Sequence, residues 1–155
     1  KRSNLPGLRS GFIAGDASVL KDFFSYRTYH GCAMSLPVQL ASMAAWSDEE
    51  HVQSNRALYR EKFSAVTEIL ADVLDFPKPD ASFYLWAQTP IDDAEFARGL
   101  FEQQNVTLLP GQFVSRASTN GNPGQNRVRM ALVASTEECV EAALRIKQYA
   151  QGLAL

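Results

Sequence analysis

The chain has 155 residues, 46% of them hydrophobic and 21% charged, and a net charge of −2 with no basic block. That is a globular balance, and it argues against nucleic acid or an anionic membrane as the main partner. No apolar run approaches the ~20 residues of a membrane helix, and the two cysteines and two histidines, Cys32, Cys139, His30 and His51, form no metal-like cluster. No metal is expected, and two free thiols fit a reducing, cytoplasmic setting.

The first stretch, Lys-Arg-Ser-Asn-Leu-Pro-Gly-Leu-Arg-Ser-Gly, places Arg9 eight residues after Lys1, across a Leu5-Pro6-Gly7 turn. Lysine alone offers a primary amine on a flexible side-chain stem, the group that forms a Schiff base with a carbonyl. Arginine offers a planar, permanently charged fork suited to a phosphate. Taken alone, the pair reads equally well as a solvated terminus and a surface arginine. Residues 10–14 (Ser-Gly-Phe-Ile-Ala) read as a short buried strand of a parallel sheet. Asp16 or Ser18 caps a helix reaching about Tyr29, with Val19, Leu20, Phe23 and Phe24 as its apolar stripe. Ser35-Leu36-Pro37 opens a helix over residues 38–46, Ser35 capping it with Pro37 in the first turn.

Ser47-Asp48-Glu49-Glu50 reads as a capping box, Ser47 bonding forward and Glu50 back, ahead of a long helix to about Leu74. Val52, Tyr59, Phe63, Val66, Leu70 and Val73 form its apolar face. Phe-Pro-Lys-Pro-Asp breaks it. Downstream, residues 82–89 read as a strand, Asp92 or Asp93 caps a helix bearing Phe96, Leu100 and Phe101, and residues 106–109 form a strand stopped by Pro110-Gly111. A polar loop over residues 115–126 leads to a strand over 127–134. Ser135-Thr136-Glu137-Glu138 is a second capping box, and a helix closes the chain. The pattern predicts a small α/β sandwich with helices on one face of a sheet. Arg127 and Arg129 fall on one face of the last strand. A fork on a rigid element can grip a carboxylate, but taken alone Arg129 reads first as a strand-edge arginine in a structural salt bridge.

Several of these segments resemble the class I/II, fold-type I, pyridoxal-phosphate-dependent aminotransferases. The initial lysine with Gly-Leu-Arg-x-Gly resembles the family's cofactor segment, Phe83-Tyr84-Leu85-Trp86 its aromatic strand, and Leu109-Pro110-Gly111-x-Phe113 its Pro-Gly-x-x-Phe turn, here one residue shorter. Arg127-Val128-Arg129-Met130-Ala131-Leu132 resembles its carboxy-terminal strand. The resemblance covers essentially the whole chain. It implies pyridoxal phosphate held by Lys1 as a Schiff base, its phosphate held by Arg9, and the substrate α-carboxylate held by Arg129, with Arg127 as the lower-ranked alternative. The family's Ser-x-Pro segment lies at the dimer interface, so the resemblance also makes Ser35 a candidate substrate or cofactor contact across subunits.

The resemblance further implies the carboxy-terminal portion of a longer enzyme. Residues 1–47 would end the large domain's parallel sheet, 48–76 form an interdomain helix, and 77–155 the small domain. The upstream half, with the cofactor-ring aspartate and the stacking aromatic, is expected elsewhere, and the isolated piece is expected to be inactive. Lys-Arg-Ser-Asn, Tyr-Arg-Thr-Tyr-His-Gly-Cys-Ala-Met-Ser and Asn-Pro-Gly-x-Asn-Arg-Val-Arg-Met-Ala-Leu-Val-Ala look closest to bacterial N-succinyldiaminopimelate aminotransferases of lysine biosynthesis. The rival expectations are another aminotransferase or a β-lyase of the same fold, and a pyridoxal-phosphate-sensing domain of a transcriptional regulator. Small amino-acid and 2-oxo-acid substrates and a homodimer are the expected partners.

Overall fold

A computed structural model describes residues 2–153, so Lys1 lies outside the described residues. The helices start where the preceding side chains allow. The Asp16 carboxylate accepts from the Ser18 N–H at 2.8 Å and the Val19 N–H at 3.4 Å and starts α1 (Ala17–His30), as its position predicts. Helix α2 (Leu36–Ser47) carries a proline in its first turn, and Ser35 makes no side-chain capping bond. Pro37 has no N–H to offer that hydroxyl. The capping box expected at Ser47 does not form, because Ser47 is drawn into the last turn of α2. Asp48 takes over and accepts from the Glu50 N–H at 2.9 Å to start α3 (Glu50–Leu70). That helix stops short of its expected end. The Val73 and Leu74 N–H groups both return to the Leu70 carbonyl, closing it in a turn.

Three antiparallel strands follow, β1 (Tyr84–Gln88), β2 (Leu109–Pro110) and β3 (Arg127–Ala131), in the order β1-β3-β2. Helix α4 (Asp93–Gln104) joins β1 to β2. The strand expected over 106–109 shrinks to two residues, and the one expected over 127–134 stops at Ala131. Past Ala131, the Leu132 N–H donates to the carbonyl of Phe83, the residue before β1. The second capping box forms as expected, with Ser135 N–H to the Glu138 carboxylate at 3.0 Å and Glu138 N–H to Ser135 Oγ at 3.2 Å. It starts α5 (Thr136–Leu153). Residues 10–14 form no ladder, and no parallel pair exists among the described residues. A parallel strand is defined by its neighbour, and no described strand supplies one.

Strand alternation sorts the sheet into two faces. Leu85, Ala87, Val128 and Met130 are buried and pack with Val66 and Leu70 of α3, Phe96 and Leu100 of α4, and Ala143 and Ile146 of α5. All three helices therefore cover one face. Tyr84, Trp86, Arg127 and Arg129 lie on the other, half-buried.

The chain divides into two compact units, one ending at Arg56 and one beginning at Ala57, within α3. The second holds the core just described. In the first, α1 and α2 bury no residue, and Phe12 (72%), Phe24 (75%) and Tyr29 (84%) stand largely in solvent. The apolar stripe of α1 is real but uncovered, and surface of this kind drives association. No described helix is long and apolar enough to cross a membrane.

Phe96 is fully buried against the Tyr149 ring, centroids 5.2 Å apart. Phe96→Ala is expected to lower the stability of this unit by about 3–5 kcal/mol in chemical denaturation, since the ring leaves a cavity that fixed strands and helices cannot fill.

Candidate functional site

The open face of the sheet is built by register. Trp86 of β1, Arg129 of β3 and Leu109 of β2 stand in one cross-strand row, and Arg127 stands opposite Gln88. The Arg129 guanidinium lies over the Tyr84 ring, 4.7 Å from its centroid. Tyr84 opposes Ala131, so the guanidinium reaches its diagonal neighbour, a contact that holds the cation without neutralising it. Among the described residues no carboxylate pairs with Arg129 or Arg127. The structure thus brings both arginines to one open face, and among the described residues Arg129 alone of the two has an aromatic shelf beneath it.

Two close ties hold one end of this face. Gly111 and Gly124 meet directly. A Cβ on Gly111 would stand 2.3 Å from the Gly124 carbonyl oxygen and 2.9 Å from the tip of the Trp86 indole, and one on Gly124 would stand 2.2 Å from the Gly111 carbonyl oxygen. No side chain fits at either position. The second tie is Asp93, wholly buried at the start of α4. Its Oδ2 accepts from the Gln112 N–H at 3.0 Å. Its Oδ1 accepts from Gln112 Nε2 at 2.5 Å and from the Asn126 N–H at 3.1 Å. The adjacent Asp92 does the capping, accepting from Ala94 and Glu95 N–H, which settles the choice between the two aspartates.

In the first unit, Arg9 ends the short 3-10 turn Pro6–Leu8 with a left-handed φ of 53°, and its guanidinium donates to the Pro6 carbonyl at 3.2 Å. It lines a cavity of about 490 Å³ together with Ser3, Ser10, Ser42 and Trp46. Ser42 Oγ is buried there without a hydrogen-bond partner among the described residues. A permanent cation, nearby hydroxyls and an unsatisfied buried Oγ make a donor set that fits a phosphate. Ser35, exposed at the head of α2, is not among the lining residues.

Sequence reasoning missed two residues. Arg2 donates to the Ala45 carbonyl at 2.9 Å and the Asp48 carbonyl at 3.3 Å, pairs with the Glu49 carboxylate, and lies over the Trp46 ring at 4.7 Å. It satisfies the carbonyls at the end of α2 and so ties the residue beside Lys1 to the α2–α3 junction. Asp93 stands in the sequence only as one of two possible caps. Adjacent aspartates at a helix start hint that one is free for another task, but its partners Gln112 and Asn126 lie 19 and 33 residues away, and local pattern does not reach that far.

The second unit is thus a small antiparallel sheet with helices on one face and Arg127 and Arg129 on the other. Residues 1–146 match the family described as aminotransferase class I and II, and the chain belongs to it. An aminotransferase from Neisseria meningitidis shares 57% identity and a TM-score of 0.81, over 95% of this chain and 38% of its own. A probable N-succinyldiaminopimelate aminotransferase from Thermus thermophilus shares 33% identity and a TM-score of 0.78, over 96% and 39%. Among curated relatives, the LL-diaminopimelate aminotransferase of Aquifex aeolicus is 30% identical over 95% of this chain and 38% of its own length. The chain therefore spans little more than a third of the proteins it matches, in their carboxy-terminal part. Class I/II aminotransferases use pyridoxal phosphate.

Burial pushes the Asp93 carboxyl up, but donation by the Gln112 N–H, the Gln112 side chain and the Asn126 N–H outweighs it, leaving the group below its ordinary 3.8. A carboxylate shifted this way stabilises the fold fully above its unfolded value and loses that contribution as pH falls through its lower folded value. The stability gap between the parent and Asp93→Asn should therefore be widest at neutral pH and should close below about pH 4 in denaturation series. A gap unchanged down to about pH 3 would contradict this origin.

Proposed function

We propose that this chain is the carboxy-terminal portion of a pyridoxal-phosphate-dependent aminotransferase that moves an amino group between an amino acid and a 2-oxo acid. Residues 1–47 close its large domain, 48–76 link the domains and 77–155 form the small domain. The observation that carries the reading is Arg129, a cation on a rigid strand, shelved on Tyr84 and unpaired with any carboxylate among the described residues.

Pyridoxal phosphate supplies the electron sink for chemistry at the amino-acid α-carbon. Lys1 would hold the cofactor through Nζ, and its amine would serve as the acid–base group for the proton at the substrate α-carbon. Arg9 holds the phosphate in the Ser42 cavity. Arg129 would grip the α-carboxylate with its fork, which fixes the orientation of the substrate's α-carbon. Ser35, whose hydroxyl caps no helix, contacts substrate or cofactor across a homodimer interface. The enzyme works in the cytoplasm.

The substrate favoured is N-succinyl-LL-2,6-diaminopimelate, with 2-oxoglutarate as acceptor, in lysine biosynthesis. It is supported by the Thermus relative's name and by the diaminopimelate aminotransferases among the curated relatives. The spread of the other relatives, among them the transaminase BacF of Bacillus subtilis, supports a second reading, an aminotransferase for a different amino acid. Turnover of succinylated against free diaminopimelate and of other amino donors separates the two.

In the full-length enzyme, Lys1→Ala should abolish transamination, because no other amine serves the cofactor carbonyl. Near-normal turnover would sink the assignment. Arg129→Ala should raise the KM for the amino acid about 100-fold, the loss of one charge-assisted fork on a carboxylate. An unchanged KM would move that role to Arg127 or to neither.

A further inference from the structure

Asp93 buries a negative charge with no ion pair among the described residues. Such a charge is costly to bury unless donors surround it, and here three do. What they belong to is the informative part. Two come from Gln112, in the short turn Gly111–Val114 that leaves β2. The third is the backbone N–H of Asn126, the residue before β3. Asn126 holds a left-handed φ of 55°, and its carbonyl accepts from the Thr89 N–H at 2.8 Å, just past the end of β1. One carboxylate thus pins both neighbours of β3 at the end where β3 begins, three residues before Arg129.

Only aspartate suits this place. Each of its oxygens meets a fixed backbone N–H, so an asparagine would turn an amide NH2 toward a donor that cannot move away. A glutamate is one methylene too long for a fully buried site. The Gly111–Gly124 contact and the indole tip of Trp86 close over the same end, and Trp86 is the residue paired with Arg129.

We infer that Asp93 is the positioning residue for the carboxylate-binding arginine: it locks the Gly111–Val114 turn and Asn126 together and so sets the start of β3 and the direction of the Arg129 fork. It touches no substrate itself. This rests on the assignment of Arg129 to the substrate carboxylate.

The test is a double-variant cycle in the full-length holoenzyme, with L-glutamate as amino donor, read together with amide hydrogen exchange. Asp93→Asn should raise the KM for L-glutamate about 10-fold with kcat within about threefold, the signature of a misaimed binding group. In an Arg129→Ala background the same change should raise KM less than about twofold, because a residue acting through Arg129 has nothing left to act on. Exchange at the Gln112 and Asn126 amides should quicken about 10-fold in both backgrounds. Should Asp93→Asn fail to fold, Gln112→Ala, which removes only the side-chain donor, should show the same non-additive pattern with a KM rise of about two- to fivefold. An unchanged KM with faster exchange would overturn the inference, as would an equal rise in both backgrounds or unchanged exchange. Arg129→Ala alone reports on the underlying assignment: if it leaves KM unmoved, that assignment fails first.

Discussion

An ionised carboxylate in the interior, Asp93, is the constraint on which the arginine-bearing end of the second unit's sheet depends. A buried charge without a counter-ion among the described residues is tolerable only where fixed donors replace water, and the donors here are Gln112 and Asn126, at either end of the loop between β2 and β3. Hydrophobic burial fixes the helix-side face of the sheet through Leu85, Val128, Met130 and Phe96. It says nothing about the loops at the sheet's end, whose apolar side chains Phe113 and Val114 stay exposed. Their geometry is set by polar satisfaction and by the glycine pair, two requirements that admit very few residue types.

The two units stand on different physical footing. The second closes a core between a sheet and three helices. The first is largely a helical surface with its aromatic side chains open, together with a cavity whose donor set suits an anion. The chain spans 38% of the length of the solved Neisseria relative. In the reading proposed, the remaining large domain and a second subunit cover Phe12, Phe24 and Tyr29, and a lone 155-residue piece would be expected to associate through them.

Much of this was legible in the sequence because local rules sufficed. The Asp16 cap, the Ser135–Glu138 box and the alternation that puts Arg127 and Arg129 on one face all depend on residues within a few positions of one another. So did the motifs that led to the family. What failed also failed locally: Ser47 lost its capping role because α2 ran on through it, and Ser35 lost its own to Pro37's missing N–H. The strand at residues 10–14 needed a neighbour that no described residue provides. The Asp93 tie and the grip of Arg2 on the end of α2 span 19 to 47 residues, and a pattern read along the chain does not name their partners.

The most direct test of the account is covalent. The full-length protein carrying this chain, incubated with pyridoxal phosphate and reduced with borohydride, would fix any imine between cofactor and lysine before digestion and mass mapping. The account predicts a single adduct, on Lys1, out of the chain's five lysines. An unmodified Lys1, or an adduct at Lys21, Lys62, Lys78 or Lys147 in its place, would contradict it.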